Sequence, residues 1–374
     1  MNILHVYKTF INDTMGGTEQ VIANIVKTSD PDDFNHSVLS LSPRETGIDR
    51  SFAGIDNIHY KQQFSIASST FSLALMRDFR SIVNQFDLIH YHFPWPFADL
   101  MHLFWRISRP SIVTYHADIV RQKKLLHLYS PLMHRFLGSV DLLVATSPNY
   151  LETSPVLQTY QDKTMVIPIG ISKRHYPKPS AERVAYWQNR FGERFFLFVG
   201  VMRYYKGLHI LLDAIRDAPY PVVIVGSGPV EQELKASAQT LHLSNVHFLG
   251  QLSDDDKVAL LQLCSALVFP SHLRSEAFGI SLLEGAMYGK PLISTEIGTG
   301  TSYINIDGKT GLVVPPSDSA ALRQAMDFIW THPDESKTMG DAAAARYRLL
   351  FTSNKMVSEY EKLYENVVMR AGLS

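Results

Sequence analysis

The residues whose spacing carries the most chemistry are Glu276 and Glu284, eight positions apart in Ser275-Glu-Ala-Phe-Gly-Ile-Ser-Leu-Leu-Glu284 around a glycine that opens a helix. Phe278, Gly279 and Ile280 would offer backbone N–H groups with no helical partner, a seat for phosphate oxygens. Glu284, about one turn into the helix, cannot hold phosphate but can accept both hydroxyls of a ribose. Glu276, just ahead of the helix, can accept from hexose hydroxyls. The plainer alternative is that Glu276 caps the helix and Glu284 pairs with Lys290 on the surface, because charged helix residues are usually solvated.

In Phe198-Val-Gly-Val-Met-Arg-Tyr-Tyr-Lys-Gly207 a buried strand pattern ends in glycine and delivers Arg203 and Lys206 together. An arginine fork and a lysine point charge can neutralise a departing diphosphate in place of a divalent metal. No Asp-x-Asp pair at a strand end suggests a metal site. The competing reading is a solvated basic turn.

Three further segments carry weaker signals. Asp13-Thr-Met-Gly-Gly-Thr-Glu19 follows the first strand, so Gly16 and Gly17 would let backbone approach a ligand closely, or simply make a tight turn. It lacks the Gly-x-Gly-x-x-Gly spacing of a nicotinamide site. His116, in Thr114-Tyr-His-Ala-Asp118, ends a strand, where a neutral imidazole can bond a hexose hydroxyl, although a lone histidine is more often structural and Asp118 a cap. Leu249-Gly-Gln-Leu-Ser-Asp-Asp-Asp-Lys257 starts a helix beside a base-recognition edge, where an Asp can accept from guanine and Lys257 joins the donor-binding set.

These residues need strand ends to hold them. Short apolar runs at Ile3–Val6, Ser37–Leu41, Asp87–Tyr91, Ser111–Tyr115, Asp141–Ala145 and Met165–Pro168 alternate with amphipathic stretches. A Pro/Gly/Ser-rich segment, Pro168–Ser180, then reads as a linker. The rhythm restarts at Phe195–Val199, Pro221–Val225, Asn245–Leu249, Ala266–Phe269, Pro291–Ser294 and Gly311–Val314. The expectation is an α/β protein of two Rossmann-like, doubly wound domains facing a central cleft. Residues 1–172 form the first domain, residues 173–353 the second, and the apolar helical period of residues 354–374 reaches back to the first.

Bulk properties agree. At 374 residues the chain suits two cores, and its 45% hydrophobic and 19% charged composition is that of a globular protein. A net charge of −1 argues against nucleic acid as a partner. Cys264 is the sole cysteine, which excludes an internal disulfide and fits a reducing, cytoplasmic compartment. The segment beginning at Met1 reads as a strand without a secretory signal's basic head, and no window has the apolar length of a membrane span. From His102 to Arg135, however, Arg106, Arg109, Arg121, Lys123, Lys124 and Arg135 are interleaved with apolar residues against one acid, Asp118. That stretch either grazes an anionic membrane surface or is an ordinary domain helix.

Taken together, these motifs resemble the retaining glycosyltransferases of family 4, whose architecture is the two-domain glycosyltransferase-B (GT-B) fold, over nearly the whole length. Glu276 and Glu284 match that family's two glutamates separated by seven residues. Arg203 and Lys206 match its diphosphate-binding pair, Gly16 and Gly17 its first-domain glycine loop, and His116 its active-site histidine. The resemblance implies that Glu276 touches the donor hexose, Glu284 the ribose and Gly17 the diphosphate or sugar, without a metal or other cofactor. Gly298-Thr-Gly-Thr-Ser-Tyr-Ile-Asn305 departs from the family's commoner Gly-Gly form followed by Glu and looks like the subgroup that builds mannose or rhamnose polymers of bacterial surface polysaccharide. The expected reaction is retaining transfer of mannose from GDP-mannose to a lipid-linked oligosaccharide in O-antigen or lipopolysaccharide synthesis, with the cytoplasmic membrane surface as a further partner. The alternatives are a rhamnosyl or other hexosyl transferase, an epimerase or hydrolase of the same architecture, and a non-catalytic nucleotide-sugar-binding component of a polysaccharide assembly complex.

Overall fold

We describe the protein from a computed structural model. It covers residues 1–372 apart from 12, 15, 67, 68 and 120–122, and the side chains of 66 and 123–125 also fall outside the description. Contacts divide the chain into two compact units, Met1–Gly170 with Ser353–Ser374, and Ile171–Thr352.

The first unit contains β1 (Asn2–Val6), β2 (Asn35–Ser42), β3 (Gly47–Asp49), β4 (Asp56–Lys61), β5 (Phe64–Ile66), β6 (Ser69–Phe71), β7 (Leu88–Phe93), β8 (Ser111–Tyr115), β9 (Leu142–Ala145) and β10 (Thr164–Val166). Eight of these form one sheet in the order β10-β9-β8-β7-β1-β2-β4-β3, parallel except for β3 against β4. Because β1 sits between β2 and β7, the strand order reverses there, the place where open α/β sheets bind ligands. The helix Gly17–Thr28 buries Val21, Ile22, Ile25 and Val26, a stripe at helical spacing. The last helix, Ser353–Arg370, belongs to this unit too: it buries Tyr360, Leu363, Tyr364 and Val367, and its Glu361 accepts from Ser29 Oγ at 2.7 Å.

Between Leu41 and Asp87 the sequence shows no apolar strand pattern, yet the structure has β3, β4 and the β5–β6 hairpin there. The reason is polar burial. The inward residues of β4 are Asn57 and His59, and Ser40 Oγ of the neighbouring strand donates to Asn57 Oδ1 at 3.1 Å. Of the basic stretch, Arg121 and the side chains of Lys123 and Lys124 lie outside the described residues, whereas Arg109 donates to the Asn84 carbonyl.

The second unit contains β11 (Phe196–Val199), β12 (Val222–Val225), β13 (Val246–Gly250), β14 (Ala266–Phe269), β15 (Leu292–Thr295) and β16 (Gly311–Val314), all parallel in the order β13-β12-β11-β14-β15-β16. Its strands are near-continuous apolar runs because helices cover both faces. The order reverses between β11 and β14. The Pro168–Ser180 segment holds a turn at Lys173–His175, a bridge from Ile171 to Thr352, and Ser180 as cap of the helix Ala181–Phe191.

Candidate active site

At the reversal point of the second unit, the chain leaving β11 makes a turn over Tyr204–Lys206, while the chain leaving β14 runs to Glu276 and into the helix Ile280–Met287. These neighbouring strand ends bring Lys206 and Glu276 into a direct ion pair. Both are buried, the side chains 11% and 12% exposed. Ser271 Oγ donates to the same glutamate at 3.3 Å, and the lysine ammonium lies 4.6 Å from the centre of the Phe269 ring. Arg203 is exposed and makes no ion pair or side-chain hydrogen bond among the described residues. The two cations therefore differ: one is held in a dry pair, the other is open to a ligand.

Gly279 caps the helix in the left-handed region (φ 96°), and the N–H groups of Phe278, Gly279 and Ile280 make no backbone hydrogen bond among the described residues. A Cβ at Gly279 would press on Phe269 at 3.2 Å, so only glycine lets the turn close over β14.

Glu284 is not a surface residue, and it does not pair with Lys290, which donates to the Gln262 carbonyl. It is buried, and its Oε1 accepts from Tyr176 Oη at 2.9 Å and Lys257 Nζ at 3.0 Å. Its Oε2 has no partner among the described residues and is not sealed from solvent, leaving an acceptor for a hydroxyl. Burial opposes the Lys257 charge, but Glu284 and Asp254 outweigh it and hold the ammonium above its ordinary pKa. Tyr176, in the supposed linker, escaped sequence reading altogether, because no periodicity or motif marks it. Its hydroxyl pKa is raised by burial and by Glu284.

Two of the three acids, Asp254 and Asp256, take structural roles. Asp256 is buried against Trp187 Nε1 at 2.9 Å and also takes Ser253 Oγ and Arg183, while Asp254 pairs with Lys257. The helix-start reading explains both better than recognition of a base does. The guanine role therefore does not fall on Asp256.

In the first unit, Gly16 caps the helix Gly17–Thr28, and a Cβ there would lie 2.4 Å from Glu19 Oε2. The buried Glu19 is fixed by Thr9 and Thr14 hydroxyls at 2.6 and 2.8 Å. A carboxylate at this loop favours hydroxyls over phosphate as neighbours. His116 follows β8 and is buried; its Nε2 lies 2.9 Å from His92 Nδ1, and burial lowers its pKa to about 3. It is a neutral ring.

Gly207 (φ 70°) is the hinge on which the Lys206 pair depends. A Cβ there would sit 1.9 Å from the Pro270 carbonyl oxygen. Gly207→Ala is expected to cost at least about 3 kcal/mol through the left-handed backbone and the clash. It should lower the melting temperature of the second unit by at least about 6–12 °C. Calorimetry checks it; an unchanged melting temperature would show that the turn is not held as described.

A surface cavity of about 600 Å³ beside β13, lined by Arg190, Lys235, His242 and His247 among others, contains none of these residues. The chemistry, not the concavity, marks the site.

Comparison with known proteins identifies the family and the fold. Residues 185–346 match the model of glycosyl transferases group 1, and residues 15–174 that of glycosyltransferase family 4. The chain is 57% identical to D-rhamnosyltransferase WbpZ of Pseudomonas aeruginosa, over 94% of this chain and 93% of that one. It is 50% identical to O-antigen chain mannosyltransferase C of Escherichia coli, over 98% and 99%. Among solved structures it is similar to sucrose-phosphate synthase from Thermosynechococcus elongatus (TM-score 0.81, 19% identity, 99% of each chain). It is also similar to Anabaena HepE in complex with UDP and glucose (TM-score 0.78, 20% identity, 97% of this chain and 99% of that one). At those identities the structural likenesses speak for the GT-B fold. The chain belongs to the family 4 glycosyltransferases, with a group 1 domain in its second half: it is a glycosyltransferase of GT-B architecture.

Proposed function

We propose that this enzyme transfers mannose from GDP-mannose, with retention, to a lipid-linked glycan of bacterial O-antigen. The observation that carries the reading is the ion pair of Lys206 and Glu276 at the strand reversal of the second unit, with Arg203 beside it in sequence and without an ion pair among the described residues. On this reading the second unit binds the donor. Arg203, Lys206 and the amides of Phe278, Gly279 and Ile280 take the diphosphate, Glu284 with Lys257 takes the ribose, and Glu276 takes the hexose. The first unit binds the acceptor, and His116 and the Gly16–Gly17 loop meet the transferred sugar. The donor phosphate oxygen accepts the proton of the incoming hydroxyl on the face from which the phosphate departs, while the cations stabilise the leaving diphosphate. No resident metal is needed for that charge.

The E. coli relative is named for O-antigen and mannose, which supports the sugar and the pathway. The P. aeruginosa relative, named for D-rhamnose, supports a second reading. The two sugars differ only at C6, where rhamnose lacks the hydroxyl. A site that hydrogen-bonds that hydroxyl rejects the deoxy sugar by about 10⁴-fold, whereas an apolar pocket discriminates only about 10²-fold. Attachment at an anionic membrane surface is supported by exposed Phe104 (61%) and Leu128 (81%) on the helices Pro96–Phe104 and Lys123–Ser139, and no helix among the described residues is long and apolar enough to cross a bilayer.

The test is a panel of GDP-mannose, GDP-D-rhamnose and UDP-sugars with a lipid-linked acceptor mimic, read by mass spectrometry. A hexose increment from GDP-mannose is expected. A deoxyhexose increment alone selects the second reading, and released or isomerised sugar without a longer glycan refutes both.

A further inference from the structure

Histidines line one face of the first unit's sheet, and three of them lead to His116. His36 on β2, His5 on β1, His92 on β7 and His116 after β8 form an unbroken row. His36 Nδ1 lies 2.9 Å from His5 Nε2, His5 Nδ1 lies 3.0 Å from His92 Nε2, and His92 Nδ1 lies 2.9 Å from His116 Nε2. Every link joins an Nδ1 to an Nε2. His90 lies beside this row, with its own nitrogens on Tyr364 Oη and Thr114 Oγ1.

The four rings are buried, and none has a carboxylate among the groups that shift it. Burial is the first cause in each, followed for three of them by other histidines or, at His36, the amino terminus. The neighbouring groups on packed elements are Tyr360 and Tyr364 of the last helix and Tyr7 beside His92. All four rings are therefore neutral, each with one N–H and one bare nitrogen. In such a row the protons have two concerted arrangements. In one, every proton is on Nδ1, each ring donates toward His116, and His116 presents its own Nδ1–H outward. In the other, every proton is on Nε2 and His116 presents a bare nitrogen.

The inner end decides between them. His36 Nε2 is sealed and has no partner among the described residues, whereas His116 Nδ1 is not among the sealed atoms. The second arrangement would strand a buried N–H at His36, close to the positive amino terminus; the first leaves only a bare nitrogen there. A sealed end also rules out a wire, since a proton entering the row has no exit.

We propose that His36, His5 and His92 are positioning residues that lock His116 as the neutral Nδ1–H tautomer, so that it serves the transfer as a hydrogen-bond donor to the sugar and not as a base. The inference rests on the reading that His116 meets the sugar. A ring so locked cannot take the acceptor's proton, because its only bare nitrogen is already occupied by His92. The donor phosphate oxygen remains the acceptor for that proton on the reading above. A different use, a metal on His5, His90 and His92, is sterically open, but both nitrogens of each ring are already engaged.

The test needs no variant to begin. In full-length protein labelled with ¹⁵N-histidine, two-bond ¹⁵N–¹H correlations at pH 7 are expected to show protonated Nδ1 and bare Nε2 at His116, His92, His5 and His36. An Nε2–H at His116, an imidazolium, or stoichiometric zinc on these rings would overturn the proposal. His92→Phe should free His116 to mix tautomers and lower kcat by about 10- to 100-fold, since a mis-set catalytic tautomer is costly, with donor KM changed less than about threefold. Unchanged kcat in that folded variant overturns the lock's role. Full activity of His116→Ala with the expected spectrum would instead refute the reading that His116 meets the sugar.

Discussion

Lys206→Ala is expected to lower turnover by roughly 10²–10³-fold, the loss typical of removing one preorganised group that stabilises developing charge. It should also destabilise the second unit, because Glu276 would be left as a buried carboxylate without its cation. Breaking such a pair from one side costs about 3–5 kcal/mol, far more than an exposed ion pair is worth. The two effects are separable. Lys206→Met combined with Glu276→Leu removes both charges and should recover most of the stability, since apolar replacement of a buried pair is often neutral, yet it should remain inactive. Arg203→Ala gives the converse control: its side chain is exposed and holds no ion pair among the described residues, so activity should fall with the melting temperature unchanged. Product formation under saturating donor and thermal melts read both quantities. A folded Lys206→Ala enzyme with turnover near wild type would end the diphosphate role.

The sequence made the strand ends legible because both sheets are buried and, apart from β3, parallel. Ser111–Tyr115, Ala266–Phe269 and Gly311–Val314 were bounded by the apolar run alone. It also marked Lys206, which follows a strand pattern, and Glu276, which stands just ahead of a helix. That they touch each other was not legible: it depends on β11 lying beside β14 rather than β12 alone, a pairing across more than sixty residues that local pattern cannot encode. Tyr176 was hidden in a Pro-rich segment, and its role exists only because Lys257 and Glu284 converge on it. The histidine row was hidden in plain view. His90-Tyr-His92 alternates as a strand should, but the sequence rule expects apolar residues on the buried face, and these imidazoles are buried because each satisfies its neighbour.

That polar core predicts acid sensitivity. His5, His36, His90, His92, His102 and His116 all have pKa values lowered by burial, His36 and His102 to about 4 and His116 to about 3. A histidine depressed in the folded state stays neutral where the unfolded chain takes up a proton. Its stabilising contribution is thus complete above the unfolded value near 6.5 and lost as pH falls toward the folded value. Each such ring removes about 1.4 kcal/mol per pH unit once the unfolded chain is protonated. Asp99 works the other way: burial raises its pKa to about 8, so its contribution is present at low pH and lost as pH rises, offsetting one of the six. The remaining slope exceeds what a fold stable by about 5–15 kcal/mol can sustain for more than one or two pH units. The first unit should therefore unfold between roughly pH 6 and 4.5, ahead of the second, whose His209, His247 and His272 are lowered only while less than half buried. Urea titrations at half-unit pH steps, with Trp95 and Trp105 reporting the first unit and Trp187 and Trp330 the second, measure the slope in each. His36→Phe should make the first unit's slope shallower by about one proton, and stability that stays flat from pH 7 to 5 would mean that these imidazoles are not neutral and buried together as described.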